Sequence, residues 1–227
     1  MQAILLAAGV GNRMRPLTDE RHKTLLTIGG QTIITRILDG LRQNGVTDVA
    51  IVTGYRAEEL RAYVLAHHPE CRFTFVHNPR YRETNNIHSL TLALQQLPID
   101  DDVVLVETDL VCAPDVFSRI IHTPHANAAL LDRWRLGMEG TVVTIEGGLV
   151  HQVIPPHLQV GDFSFRDKFK TVNVYKFSKE FCRTQFRQAL TFYAQTFDDN
   201  CYYELILGIL IYLRQADIHA EVIDGLP

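Results

Sequence analysis

Ala3-Ile4-Leu5-Leu6-Ala7-Ala8-Gly9-Val10-Gly11-Asn12-Arg13 opens the chain and decides its fold. Residues 3–6 are apolar without alternation, the pattern of a parallel strand covered on both faces rather than one with a wet side. Small residues and glycines follow at once, so the strand runs into a loop whose consecutive backbone N–H groups no side chain screens. Such a loop can cradle phosphate oxygens. The apolar stretch 3–10 has no basic leader and is too short for a signal segment or a membrane span.

Beyond this loop, helical and strand periods alternate. A helix over 32–44 carries Ile33, Ile34, Ile37, Leu38 and Leu41 at helical spacing, with Gly45 placed as its left-handed terminus. A strand over 49–53, a helix over 57–67, a strand over 73–77, an asparagine-rich loop, a helix over 89–97 and a strand over 103–106 follow. This order predicts a parallel sheet with right-handed crossovers and helices on both faces, and such sheets bind ligands at the carboxyl ends of their strands. After residue 127 the rhythm changes to strands over 128–131, 141–145 and 149–154, the last two joined at Gly147-Gly148, a two-residue hairpin signal. A strand over 172–177, helices over 179–196 and 202–215, and a strand over 218–223 complete the chain. The expected class is α/β: a Rossmann-like mixed, mostly parallel sheet flanked by helices, with a small antiparallel extension. No low-complexity linker or internal repeat divides it, which predicts a single domain.

Composition narrows the partners. A net charge of −4 with 22 basic residues gives no basic surface for nucleic acid, so any anion must be held locally. The four cysteines, Cys71, Cys112, Cys182 and Cys201, form no CxxC pair and predict reduced thiols in a cytoplasmic protein rather than a zinc site. His67-His68 ends a helix, where a cationic side chain complements the dipole.

Arg13 offers a forked donor to phosphate oxygens, and Lys23 a mobile point charge that can follow a phosphorus as it becomes five-coordinate. Each contributes on the order of 4 kcal/mol at about 4 Å in an effective dielectric near 20. A dinucleotide loop is disfavoured: Met14 replaces its third glycine, no helical pattern starts after Gly11, and no acidic residue ends the second strand, where Val52-Thr53-Gly54-Tyr55 stands. A Walker loop is excluded because no Gly-Lys-Ser/Thr follows. At the end of the fourth apolar strand, Val106-Glu107-Thr108-Asp109-Leu110 sets a carboxylate towards the same crevice. Hard oxygen ligands there suit Mg²⁺, which also needs the phosphates of a nucleotide. The competing reading is that Asp109 caps the next helix.

Leu6-Ala7-Ala8-Gly9-x-Gly11-x-Arg13-Met14-x-Pro16-Leu17-Thr18, with Lys23-x-Leu25-Leu26 after it, resembles the signature of NTP-dependent nucleotidyltransferases, in which His22 stands where proline is usual. The resemblance implies the nucleotide-diphospho-sugar transferase type of fold, with a nucleotide-binding half over 1–112 and an acceptor-binding half over 113–227. It implies that Leu6, Ala7, Ala8, Gly9, Val10, Gly11, Asn12, Arg13 and Lys23 surround the triphosphate. Lys23, Arg13 and Asp109 would carry the reaction, Asp109 would hold the metal, and Glu107 would lie beside the nucleotide. The segment Thr84-Asn85-Asn86-Ile87-His88-Ser89-Leu90 resembles the Thr-Asn-Asn-x-x-Ser-Leu of phosphocholine-type cytidylyltransferases, which places Thr84, Asn85 and Ser89 near the base. Asparagine amides both donate and accept, as a pyrimidine edge requires, so CTP is favoured.

The runs 137–143 and 170–178 resemble stretches of cytidylyltransferase-like domains, implying an acceptor with a phosphate or phosphonate and an amine. Asp132, Trp134, Tyr175 and Glu204 are its candidate binding residues, with core packing the alternative for each. Tyr202, Tyr203 and Tyr212 lie on an apolar helix and are expected in the core. The reaction implied is in-line attack by the acceptor oxygen on the α-phosphorus with loss of pyrophosphate, without a protein nucleophile. The alternatives are a sugar-1-phosphate nucleotidyltransferase using another NTP and a catalytically silent nucleotide-binding module. The resemblance also places an acidic metal ligand just beyond the last strand, where this sequence ends in Asp224-Gly225-Leu226-Pro227. Either Asp224 substitutes, or the chain is a fragment of a longer, bifunctional protein, the reading favoured here.

Overall fold

The structure, a computed structural model, describes residues 1–223. Strand β1 (Gln2–Ala7) sits in a nine-stranded sheet and is buried on both sides. Ala3, Leu5 and Ala7 face one hydrophobic cluster and Ile4, Leu6 and Ala8 the other. This is what a non-alternating apolar strand must do, because its side chains still alternate between faces while both faces are covered.

After β1 a short helix α1 (Leu17–Glu20) and a hairpin, β2 (Thr27–Ile28) with β3 (Gln31–Thr32), lead into α2 (Ile33–Gln43). The side-chain oxygen of Thr32 caps α2 by accepting from the N–H of Thr35 (3.2 Å), and Gly45 beyond its end takes φ 79°. Then come β4 (Asp48–Thr53), α3 (Ala57–His67), β5 (Arg72–His77), α4 (Asn86–Gln96) and β6 (Val103–Glu107), which give the parallel order β5-β4-β1-β6. The order reverses at β1, so β1 and β6 flank the switch point where a ligand crevice opens in sheets of this kind. Helix α4 begins three residues earlier than its apolar spacing suggests, because Asn85 caps it by accepting from the N–H of Asn86 (2.9 Å).

The second half differs from the expected small extension. α5 (Pro114–Ile121), β7 (Ala128–Arg133), β8 (Val142–Glu146), β9 (Leu149–Ile154) and β10 (Phe169–Phe177) precede α6 (Lys179–Phe181), α7 (Arg187–Thr196), α8 (Glu204–Tyr212) and β11 (His219–Val222). Strand β10 inserts antiparallel between β6 and β7, so all nine strands form one sheet in the order β5-β4-β1-β6-β10-β7-β11-β9-β8. Four neighbour pairings are parallel and four antiparallel, making the sheet mixed rather than mostly parallel. The Gly147-Gly148 turn joins β8 to β9 with φ 58° and 82°, as a primed hairpin turn requires.

The segment read as one helix over 179–196 contains a π turn at 182–186 between α6 and α7. One extra residue per turn there lets Phe181, Cys182, Phe186 and Leu190 all face the core. Among the described residues no helix is long and apolar enough to cross a membrane.

Candidate active site

The loop after β1 begins with Ala8 and exposed Gly9, passes through Gly11 at φ 74° and closes in a single 3-10 turn, Asn12–Met14, instead of the long helix of a dinucleotide site. Gly11 is needed twice. Its φ is left-handed, and an added Cβ would lie 3.1 Å from Thr18 Cγ2 and 3.2 Å from Lys23 Cβ.

Lys23 starts the next 3-10 turn, Lys23–Leu25, and its Nζ lies 3.2 Å from Asp109 Oδ2. Asp109 caps no helix: α5 is capped at Ala113. The ends of β1 and β6 are tied directly, since the Thr108 hydroxyl donates to the Leu6 carbonyl (2.8 Å). The glycine loop and the strand-end carboxylate therefore share one crevice.

Leu6, Ala8, Gly9, Arg13, Lys23, Thr84, Asn85, Ser89, Glu107 and Asp109 line a cleft of about 210 Å³, together with Asn78, Tyr81, Asn86 and Tyr202. Ala7 is buried behind it, and Val10, Gly11 and Asn12 belong to the loop but not to the cleft wall. Asn78 orders the polar side by donating to Ser89 Oγ (3.1 Å) and Thr84 Oγ1 (3.2 Å). A second cleft, of about 440 Å³, adjoins the first and shares Arg13, Glu107, Asp109 and Tyr202 with it. Its other walls include Met138, Gly140, Thr141, Lys170, Asn173 and Glu204, from the runs 137–143 and 170–178 and the start of α8, with Phe165 from the segment before β10.

Of the four acceptor candidates only Glu204 reaches this second cleft. Tyr175 is 2% exposed and packs edge-on against Tyr203 in the core. Asp132 is buried at the end of β7 and ion-paired to Arg135. Trp134 stacks on Phe165 at 4.2 Å and bonds the Met138 carbonyl (3.2 Å), so it braces the cleft wall from behind. Tyr203 is core as expected, but Tyr202 and Tyr212 are not: they are 47% and 86% exposed. Helix α8 starts at Glu204, so Tyr202 precedes it and projects into the junction of the two clefts.

Asn173 was legible only as part of a strand. It sits at a register shift in β10 with φ 60°, a bulge that turns its amide towards the second cleft, where its buried Oδ1 has no partner among the described residues. Glu204 Oε2 is likewise buried and without a partner there. Asn86 donates to Glu107 Oε1 (2.9 Å) and accepts from the N–H of Tyr203 (2.9 Å), locking the two carboxylate-bearing segments together. Burial, followed by the neighbouring Glu204 and Asp109 carboxylates, raises the Glu107 carboxyl above its usual range, and burial raises Glu204 in the same direction. The crevice is therefore short of positive charge.

Among the described residues no three of His, Cys, Asp and Glu converge as a metal cage. The donor set suits an ion that takes one or two carboxylates and completes its shell with phosphate oxygens and water, as Mg²⁺ does. Asp109 lines both clefts, and Asp224, the other acidic candidate, lies outside the described residues.

His22 is fully buried, and burial lowers its pKa from 6.5 to about 4. Because the folded value is depressed, the neutral ring is fully compatible with folding above pH 6.5, and stability is lost as pH falls from there towards 4. The loss is on the order of 3 kcal/mol. Chemical denaturation at pH 7 and pH 4.5 should show this slope, and His22→Phe should flatten it.

The sequence pattern of the MobA-like NTP transferase domain matches residues 3–153. A CMP-5'-(3-aminopropyl)phosphonate synthase of Streptomyces rubellomurinus is 32% identical over 191 residues, which are 84% of this chain and 30% of that protein. A choline-phosphate cytidylyltransferase of Haemophilus influenzae is 32% identical over 158 residues, 67% of this chain and 65% of that protein. The chain thus spans less than two thirds of the length of either relative. Its fold is that of the inositol-1-phosphate CTP transferase from T. maritima, with a TM-score of 0.78 at 15% identity over 100% of this chain and 86% of that one. It is equally that of the CTP:phosphocholine cytidylyltransferase from Streptococcus pneumoniae, with a TM-score of 0.76 at 19% identity over 99% and 90%. A glycine loop and a strand-end carboxylate at the switch point of a nucleotide-diphospho-sugar transferase fold, and a domain pattern covering the loop, the carboxylate and the strands between, lead to one assignment: the chain belongs to the MobA-like NTP transferase family.

Proposed function

We propose that this chain transfers CMP from CTP to a small phosphonate or phosphate that carries an amine, releasing pyrophosphate, with Mg²⁺ as cofactor. The observation that carries the reading is the meeting of two clefts at Arg13, Glu107, Asp109 and Tyr202, one walled by the glycine loop and Lys23, the other by Lys170, Asn173 and Glu204. Two anions must be brought together, and the residues at the junction supply the means. Arg13 is exposed at the mouth of both clefts, and among the described residues no carboxylate engages its guanidinium. Lys23 stands at the loop ready to exchange Asp109 for a phosphate oxygen. Asp109 would hold Mg²⁺, which when bound would supply charge neutralisation at the phosphates. The acceptor oxyanion forms its bond to the α-phosphorus as the bond to the bridging oxygen breaks in line, so the electron pair leaves with pyrophosphate and no protein nucleophile is used.

The base reading is supported by Asn85 on the first cleft, whose amide nitrogen is not taken up by the bonds that engage Asn78 and Asn86, and by relatives named cytidylyltransferases. For the acceptor, Lys170 and Arg13 suit the phosphonate oxygens, while Glu204 Oε2 and Asn173 Oδ1 offer only lone pairs, which an ammonium with N–H donors satisfies. Glu204→Gln should therefore weaken binding of 2-aminoethylphosphonate by about 10–100-fold, the worth of a charge-assisted hydrogen bond, and leave ethylphosphonate unaffected. Isothermal titration with both ligands checks this; equal weakening of the two contradicts it.

The function is tested by pyrophosphate release across CTP, UTP, dTTP and GTP, each with 2-aminoethylphosphonate, phosphocholine and hexose 1-phosphates. CTP with an amine acceptor should give the highest kcat/KM. A preference for a hexose phosphate with another nucleotide overturns the substrate assignment, and no release with any pair overturns the transferase reading.

A further inference from the structure

The turn that presents Lys23 is fastened to the glycine loop by a buried imidazole, and we propose that His22 is the positioning residue that sets where the Lys23 ammonium stands over the anion site. This rests on reading that loop as the triphosphate socket.

Three segments meet at His22. The N–H of Thr24 lies 3.2 Å from Nδ1 and the Thr24 hydroxyl 2.8 Å, so Nδ1 accepts and carries no proton. Nε2–H then donates to the carbonyl of Ala7, the last residue of β1, at 2.9 Å. The backbone N–H of His22 donates to Glu59 Oε2 on the first turn of α3 (3.0 Å). One fully buried residue thus ties the end of β1, the turn that begins with Lys23, and α3. A single peptide separates it from Lys23, whose side chain lies along the loop. A Cβ placed on Gly11 would lie 3.2 Å from Lys23 Cβ, and one on Gly9 would lie 4.0 Å from Lys23 Nζ. At that spacing a shift of about 1 Å in the turn moves the ammonium off a phosphate oxygen, and misplacements of that size cost about 100-fold in catalysis.

Proline usually occupies this place in the related signature, and the backbone would admit it: His22 has φ −61° and the preceding Arg21 is extended at φ −144°, ψ 147°. Proline has neither an N–H for Glu59 nor a ring nitrogen for Ala7. This chain replaces the stiffness of one ring with three hydrogen-bonded tethers.

The test is calorimetric binding of inorganic triphosphate to the wild type, His22→Asn, His22→Gln and His22→Phe, each with and without Lys23→Ala. Asparagine keeps an acceptor for Thr24 but cannot reach Ala7, glutamine restores a donor to Ala7, and phenylalanine fills the space with neither, so two independent variants remove the tie. The expected result is about tenfold weaker binding for His22→Asn and His22→Phe, near-normal binding for His22→Gln, and no further effect of any of them once Lys23 is alanine. Equal losses in both lysine and alanine backgrounds, or no loss without the Ala7 tie, would overturn the proposal. Wild-type protein that shows this coupling yet releases no pyrophosphate from any nucleotide would leave His22 as assigned and overturn the transferase reading alone.

Discussion

Lys23→Ala is expected to slow pyrophosphate release by about 10²–10³-fold, the cost of removing one preorganised donor from the charge that develops in the transition state, while barely changing the fold. The asymmetry follows from the position of the side chain. Lys23 and Asp109 are 3.2 Å apart with side chains 12% and 28% exposed, part-buried on the wall of an open cleft rather than inside the core. Breaking such a pair costs the folded state about 1 kcal/mol or less. For a chain of this length that is a change in Tm of no more than about 4 °C. Steady-state release with CTP and differential scanning calorimetry on the same preparation check both halves. Near-normal release by the alanine variant contradicts the role given to Lys23, and a large fall in Tm would mean that the pair holds structure instead.

Gly54→Ala should do the reverse, damaging the protein through its packing. Gly54 directly follows β4 with a φ outside the left-handed region, so the constraint is one of space. A Cβ there would lie 2.7 Å from the carbonyl oxygen of Ala8 and 2.6 Å from Cβ of Tyr81. Neither can retreat freely: Ala8 O accepts from the N–H of Tyr55 (3.0 Å), and the Tyr55 hydroxyl donates to the Thr18 carbonyl (2.9 Å), so the strand end and the glycine loop are laced together. Overpacking of this kind costs about 3 kcal/mol at its upper end, a fall in Tm of about 6–12 °C. Because Ala8 and Tyr81 both line the first cleft, proposed to hold the nucleotide, CTP affinity should fall as well. A variant with unchanged Tm and unchanged CTP affinity would show that the loop is free to move away, contrary to a preformed socket.

Those two residues mark how far the sequence can be read. The strands β1, β4, β5 and β6, the glycine loop and the carboxylate at 109 were legible because each depends on local period or on position at a strand end. The placement of β10 was not. Val174, Tyr175 and Phe177 are as apolar as any parallel strand requires, and only long-range pairing, Tyr175 opposite Leu105 on one side and Ala129 on the other, puts this strand between β6 and β7. That same register buries Tyr175, which the sequence left open to either role. Tyr202 was misplaced because an apolar helix gives no sign of its first residue, and a start at Glu204 turns the preceding tyrosine towards the clefts. Asn173 depends on a bulge that no spacing announces. His22 read only as a departure from a signature, since its partner Ala7 lies 15 residues earlier in the chain.

On the proposed reading, the turn after β1 holds a triphosphate opposite a divalent ion on Asp109. A crystal structure of the protein with CTP and Mn²⁺ tests it most directly, because manganese gives an anomalous signal. The expected result is a peak about 2.0–2.3 Å from an Asp109 carboxylate oxygen, triphosphate oxygens on the backbone N–H groups of residues 8–13, and Lys23 turned from Asp109 to phosphate. Nucleotide bound elsewhere, or an ion with no contact to Asp109, would contradict it.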